Sequence, residues 1–152
     1  MKRTCLIGAA ILLAFLLPKG RGTDLSELIP VEILYVDRDE HGVRMATDLG
    51  VSGVADSIEG ALADMEKTAP GTLFLDTAEY LLVTERALPE LTTLVQTMRP
   101  SAKLLLVTQQ PQWDGLAAYL QGQKPEVTLL DYRSANTPIP MLVEVEGRYY
   151  IV

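Results

Sequence analysis

The sequence predicts an α/β fold, with one domain in which two or three helices pack on a mixed β-sheet. Segments rich in aliphatic and aromatic residues alternate with segments whose apolar residues recur at helical spacing. The chain has 152 residues, a length typical of one domain. Hydrophobic residues make up 48% of the chain, which is enough to bury a core and excludes wholesale disorder.

The first predicted elements are the two strands of a hairpin. Residues 31–36 are rich in β-forming residues, and a polar turn follows at residues 37–42. Val43, Met45 and Thr47 then alternate with the side chains of a second face, as they would in a strand. Because a hairpin comes first, and not a strand–helix unit, we do not expect a doubly wound Rossmann topology.

A helix is predicted over residues 56–68. Ile58, Ala61 and Met65 fall on one face at helical spacing. An aspartate and a serine at the start of this segment can cap the first free N–H groups, and the Pro-Gly pair at residues 70–71 ends the helix.

The remaining elements alternate between strands and helices. Pro89 suits a first helical turn, and Pro100 prevents the same helix from continuing. The unbroken apolar run at residues 103–108 is typical of a strand that is covered on both faces. In chain order we predict strands at 73–75 and 80–83, a helix at 89–98, a strand at 103–108, a helix at 114–121, a strand at 127–130, and a closing hairpin at 141–145 and 149–152.

Residues 1–22 have the pattern of an export signal. Two cationic residues precede an apolar run at residues 5–17, which is shorter than the roughly 20 residues of a membrane-spanning helix. The run falls within the range of a signal-peptide core, about 7–15 residues, and Pro18 ends it. We therefore predict a signal peptide or N-terminal anchor over residues 1–22 and a single α/β domain over residues 23–152. The predicted location is extracytoplasmic, either secreted or at the outer face of the cytoplasmic membrane.

Composition excludes several classes of function. With 13 Lys+Arg against 20 Asp+Glu, the formal net charge is −7, which argues against a nucleic-acid partner. The one cysteine, Cys5, cannot form a disulfide within the chain, and the one histidine cannot supply a multi-histidine metal site. Cys5 begins the apolar run, whereas the modified cysteine of a lipoprotein follows it.

The segment from Asp37 to Asp48 superficially resembles a calcium-binding loop. Asp37 and Asp39 alternate along the chain, Gly42 stands at the bend, and Asp48 occupies the twelfth position. However, His41 replaces an oxygen ligand and the segment joins strands, not helices. We therefore favour an ordinary hairpin turn and keep calcium binding as an alternative.

Other candidate sites also have simpler structural interpretations. Asp76 and Glu79 could form an acid–base pair, but acidic residues at such a place commonly solvate the end of a strand. Trp113, beside a glutamine-rich stretch, could mark a binding surface, although we favour a half-buried indole that covers the start of a helix. Neither a nucleophile elbow nor a phosphate-binding glycine motif occurs in the sequence. The expectation is a protein that is not an enzyme and has no cofactor and no metal site.

From residue 23 onward, the order of elements resembles the N-terminal domain of the spore-germination receptor C-subunit lipoproteins, the Ger(x)C family. Leu-Phe-Leu-Asp-Thr at residues 73–77 stands where that family has Leu-Phe-Leu-Gly-His, and residues 80–85 resemble its next apolar strand. The likeness covers most of residues 22–122. Thr23 stands in place of the lipidated cysteine, and Asp76 and Thr77 replace the Gly-His pair.

This resemblance implies a non-catalytic protein that assembles with membrane-embedded receptor subunits during spore germination. The expected function is therefore protein–protein contact by an exported or membrane-associated α/β domain. A small secreted protein that binds a ligand or calcium is the first alternative. A carboxylate-based hydrolase with its site near Asp76 is the second.

Overall fold

A computed structural model describes residues 27–135 and 137–152. The predicted export segment, residues 1–22, lies outside these described residues. Within the described ranges, no helix combines the length and the apolar character that crossing a membrane requires. The predicted α/β class is confirmed, because helices pack on a five-stranded mixed sheet.

The described residues contain nine strands, four α-helices and two short 3₁₀ segments. The strands are β1 (Leu28–Pro30), β2 (Ile33–Asp39), β3 (Gly42–Thr47), β4 (Ser52–Ala55), β5 (Thr72–Phe74), β6 (Tyr80–Thr84), β7 (Lys103–Val107), β8 (Leu142–Val145) and β9 (Arg148–Ile151). The helices are α1 (Ile58–Thr68), α2 (Leu91–Thr97), α3 (Leu116–Gln123) and α4 (Leu129–Ala135), and the 3₁₀ segments are Leu75–Thr77 and Glu85–Glu90.

The main sheet has the strand order β4-β3-β2-β6-β7. Strands β2, β6 and β7 are parallel, while β3 and β4 continue from β2 as an antiparallel meander. The three parallel strands follow one another without the reversal that defines a doubly wound sheet, as the sequence led us to expect. Strands β1 and β5 form a separate parallel pair, and β8 and β9 form the predicted closing hairpin.

Both faces of the main sheet are covered, which gives three layers. Helices α1, α2 and α4 cover one face, where the buried side chains include Val36, Leu81 and Leu104. Helix α3 and the β8–β9 hairpin cover the other face, where Tyr35 and Leu105 are buried. Strand β7 therefore alternates between two cores, which explains its unbroken apolar run.

Local signals place α1 where the sequence predicts it. The Ser57 hydroxyl accepts a hydrogen bond from the Gly60 amide at 3.2 Å and caps the helix. Ile58, Ala61 and Met65 are buried against the sheet, as predicted.

The predicted turn at residues 37–42 is shorter in the structure. Strand β2 continues to Asp39, which pairs with Gly42, and Asp37 pairs with Arg44. Only Glu40 and His41 remain in the turn, because the polar residues before them are held in the strand by their pairing with β3.

The structure corrects the bounds of two predicted helices and one strand. Residues 85–90 form a 3₁₀ segment that contains Pro89, and α2 begins only at Leu91. Helix α3 begins at Leu116, because Gly115 before it adopts a left-handed conformation with φ +71°. Strand β5 ends at Phe74, since Leu75 begins a 3₁₀ turn.

The predicted strand at residues 127–130 is wrong. Thr128 makes only an isolated bridge to Lys103, and α4 begins at Leu129. The Asp131 carboxylate accepts hydrogen bonds from the Thr128 amide at 2.9 Å and the Thr128 hydroxyl at 2.6 Å, while the Asp131 amide donates to that hydroxyl at 3.1 Å. This reciprocal capping starts a helix where the apolar run alone favours a strand.

The capping contact predicts a pH dependence for the start of α4. Hydrogen bonds from the Thr128 side chain, and secondarily from its backbone, hold the pKa of Asp131 below its ordinary value. Because the folded pKa is lowered, the contact stabilises the fold above the unfolded-state pKa, and this contribution is lost as the pH falls through the folded pKa. We expect Thr128→Val to return the pKa of Asp131 toward its ordinary value in a carboxyl NMR titration. Thr92→Val, on α2, should leave the Asp131 titration unchanged, and an unaltered pKa in Thr128→Val would contradict the assignment.

Candidate functional site

The predicted calcium ligands lie in separate environments. Asp39 accepts a hydrogen bond from the His41 amide at 2.7 Å, within the turn. Asp48 accepts from the amide of Ile33, at the start of β2, at 3.1 Å, and Asp37 faces β6. Throughout residues 27–135 and 137–152, no group of three or more His, Cys, Asp or Glu side chains is placed to hold a metal ion.

The two acidic residues considered as an acid–base pair also face different neighbours. Asp76 is exposed on the 3₁₀ turn that follows β5. A Glu79 oxygen lies 3.5 Å from the Arg99 guanidinium, and both of these side chains are partly solvated. Asp76 thus lies just after β5 and Glu79 just before β6, and an acidic side chain at the end of a strand needs no catalytic explanation.

The sheet brings together a polar cluster that the sequence analysis did not identify. Asp37, Thr84 and Arg86 meet at the carboxyl ends of the parallel strands β2 and β6. The buried Thr84 hydroxyl donates to Asp37 at 2.6 Å, and the Arg86 guanidinium donates to both Asp37 oxygens at 3.2 and 3.3 Å. The backbone amide of Arg38 is a third donor and adds a fourth hydrogen bond, at 2.8 Å. Because donors occupy both oxygens, Asp37 ties β2 to β6 and retains little capacity for a ligand.

Tyr35 is buried on the same face of β2 as Asp37. Burial, and secondarily the charge of Asp37, raises the pKa of Tyr35 to about 12. The phenol is neutral near neutral pH and fills the core.

A cleft opens beside this cluster, between the β3–β4 hairpin and the loop before α3. Its volume is about 290 Å³. Arg44 lies on its strand side, and Trp113 and Gln110 lie on its loop side. Trp113 is half-buried, as predicted, and packs against the core cluster that contains Leu116, whose amide donates to the Trp113 carbonyl.

Arg44 is not among the residues that the sequence predicts to form a site. It could be recognised only as one polar residue in an alternating strand, whereas its place in the cleft depends on the loop at residues 109–114. That loop is more than sixty residues away in the chain, and no local pattern predicts that it reaches β3.

The β8–β9 hairpin has one covered face and one open face. On the covered face, Tyr149 packs against Tyr119 of α3 with ring centroids 5.6 Å apart, and its hydroxyl donates to the Gln112 carbonyl at 2.5 Å. On the open face, Val145 is 51% exposed and Tyr150 is 47% exposed. The open face therefore carries exposed apolar side chains together with the exposed Arg148, which pairs with Val145.

One edge of this hairpin is also unpaired. Met141 and Val152 exchange two backbone hydrogen bonds of 2.9 Å across the hairpin. Because the bonding alternates along an antiparallel ladder, Tyr149 and Ile151 direct their N–H and C=O groups away from β8. Among the described residues, none forms a backbone hydrogen bond to these outward groups.

The β4 edge of the main sheet is protected. The amide of Val54 in the edge strand β4 donates to the Asp64 carboxylate of α1 at 3.2 Å. Helix α1 thus covers the β4 edge, as soluble proteins commonly do, whereas no described residue bonds to the outer backbone groups of β9.

Comparisons of the chain with protein-family models, with curated proteins and with solved structures give no match.

Proposed function

We propose that this chain is a non-catalytic, exported or membrane-associated protein that acts by binding another protein. The proposed partner is an extended segment of a membrane-embedded receptor subunit, as the likeness to germination-receptor C subunits implies. The observation that carries the proposal is the β8–β9 hairpin, in which an apolar open face adjoins an unpaired strand edge.

The edge of β9 suits the addition of a partner strand. A strand laid beside β9 would satisfy the outward N–H and C=O groups of Tyr149 and Ile151. Soluble proteins usually protect such an edge with charges, prolines, bulges or a covering element. An edge left open beside an apolar surface is typical of a site that a partner fills.

The open face supplies the apolar contact for that partner. Val145 and Tyr150 lie on the same face of the hairpin, together with Val143, which pairs with Tyr150, and Arg148, which pairs with Val145. Alternate side chains of an added strand would pack on this face and give the interaction its specificity. Since the chain has a net charge of −7, a partner segment flanked by Lys or Arg would associate faster than an acidic one.

Site-specific photo-crosslinking in the producing cells tests the proposal. A benzophenone amino acid at position 150 should crosslink to one integral membrane protein, at an extended segment of that protein. The same probe in place of Glu59, an exposed residue of α1 on the other side of the sheet, is the matched control and should not crosslink to it. Tyr150→Asp, probed from position 145, should abolish the product because it places a charge in the apolar contact.

Several outcomes would contradict the proposal. Equal crosslinking from positions 150 and 59 would show that the hairpin is not the surface that binds the partner. Crosslinks only to a second copy of this chain would replace receptor binding with self-association. Recovery of the whole polypeptide, residues 1–22 included, from the cytosol would overturn the exported location.

A further inference from the structure

We propose that the cleft between Arg44 and Trp113 binds a small organic anion that has an apolar body. This site is separate from the β8–β9 hairpin, so the proposal does not depend on the proposed function. The polarity of the cleft carries the argument. The chain has 20 acidic residues against 13 Lys+Arg, yet the residues lining this cleft include an arginine and no carboxylate.

The Arg44 guanidinium has N–H groups that are free to bind a ligand. Its nearest acidic partner is Asp39, at 3.9 Å, and the Arg44 side chain is 48% exposed. The other Asp39 oxygen accepts the His41 amide. Among the described residues, no hydrogen bond from the guanidinium is formed. A guanidinium with free N–H groups matches the paired oxygens of a carboxylate or phosphate.

The neighbouring aspartate does not oppose an anion at this place. Asp37 lies across the ladder from Arg44, but its charge is balanced by Arg86, which donates to both oxygens, and by the Thr84 hydroxyl. Of the two nearby carboxylates, Asp37 is thus paired with Arg86, and only Asp39, at 3.9 Å, shares the Arg44 charge with the cleft.

Further donors and an apolar wall complete the site. The Gln110 amide and the Ser52 hydroxyl border the cleft, and neither side chain has a hydrogen-bond partner among the described residues. The Trp113 indole and Val54, which is exposed, supply apolar surface. A volume of about 290 Å³ is just below the usual range for ligand pockets, roughly 300–1,000 Å³. The cleft thus fits a small ligand with an anionic end for Arg44 and a planar or aliphatic body for Trp113.

Trp113 makes the test direct, because it is the only tryptophan in the chain. Its fluorescence, excited at the red edge of the indole band, should change saturably on titration with phenylacetate or phenyl phosphate. Tighter binding of one of these two probes would identify the anion as a carboxylate or a phosphate ester. Neutral 2-phenylethanol, which keeps the ring, and inorganic phosphate, which lacks the apolar body, should each bind at least about tenfold more weakly.

Two variants and a control locate the site. Arg44→Gln should weaken binding of the anionic probes at least about tenfold. Gln110→Glu changes an exposed loop residue and should weaken binding in the same direction through charge repulsion. Arg133→Gln, an exposed arginine of α4 on the other side of the sheet, should bind like the wild type. No saturable change in the wild type, equal binding of 2-phenylethanol, or wild-type affinity in both Arg44→Gln and Gln110→Glu would overturn the proposal.

Discussion

Replacing Gly53 with alanine is expected to lower the free energy of unfolding by about 3 kcal/mol. Gly53 lies in β4, where α1 crosses the strand closely. A Cβ at this position would lie 2.3 Å from the Ala61 carbonyl oxygen and 2.8 Å from the Met65 amide nitrogen. Both are backbone atoms of α1, so no side-chain rotation can relieve the clash. The helix must move off the sheet or the strand must bend.

Gly122 provides the matched control. It is a glycine inside α3, and a Cβ added there meets no atom within 4 Å. Gly122→Ala should raise the free energy of unfolding by about 0.5–1 kcal/mol, because alanine loses less backbone entropy in a helix. Urea unfolding followed by circular dichroism measures both variants. A Gly53→Ala protein as stable as the wild type would show that α1 does not approach β4 this closely.

The close approach at Gly53 also bears on which edge of the protein can bind a partner. With α1 held against β4, the Asp64 carboxylate reaches the Val54 amide and occupies an edge donor. The β4 edge is thereby closed by the same packing that Gly53 permits. Within residues 27–135 and 137–152, the outward backbone groups of β9 have no equivalent hydrogen-bond partner.

The sequence predicts those elements whose signals are local. Helix α1 shows its capping serine, Ser57, and its buried stripe within one short segment, and the structure confirms both. The closing hairpin is equally local, because the Glu-Gly pair at residues 146–147 marks its turn. In the structure both residues have positive φ, which suits a two-residue hairpin turn. Trp113 was also placed correctly, as a half-buried residue at the start of α3.

The errors arise where the deciding contact is distant or where two local signals compete. Residues 37–39 look like a polar turn, and only the pairing with β3 and the reach of Thr84 and Arg86 make them a strand end. At residues 127–130, the apolar run favours a strand and the Thr128–Asp131 capping favours a helix, and the capping prevails. The cleft beside Arg44 has no sequence signal for the first reason, since it exists only once β3 and β4 meet the loop at residues 109–114.

Replacing Asp37 with alanine is expected to lower the free energy of unfolding by about 2–3 kcal/mol. The Thr84 hydroxyl is buried and donates to Asp37 at 2.6 Å. Without the carboxylate, this hydroxyl stays in the core with no acceptor, and the ends of β2 and β6 lose the contact that joins them. The penalty comes mainly from the unsatisfied hydroxyl, because a buried polar group without a partner costs more than an ordinary hydrogen bond contributes.

Variants of Thr84 and Arg86, the two side chains that donate to Asp37, distinguish the unsatisfied hydroxyl from the lost ion pair as the cause of the destabilisation. Arg86→Gln should cost less than about 1 kcal/mol, since the Arg86 side chain is 63% exposed and solvent screens its charge. Thr84→Val removes the hydroxyl, so adding it to Asp37→Ala should restore part of the lost stability. Urea unfolding of the wild type, Asp37→Ala, Thr84→Val and the double variant measures this coupling, and Arg86→Gln is measured in the same way. If the double variant is less stable than Asp37→Ala by the full cost of Thr84→Val alone, the two residues act independently and the buried hydrogen bond does not join the strands.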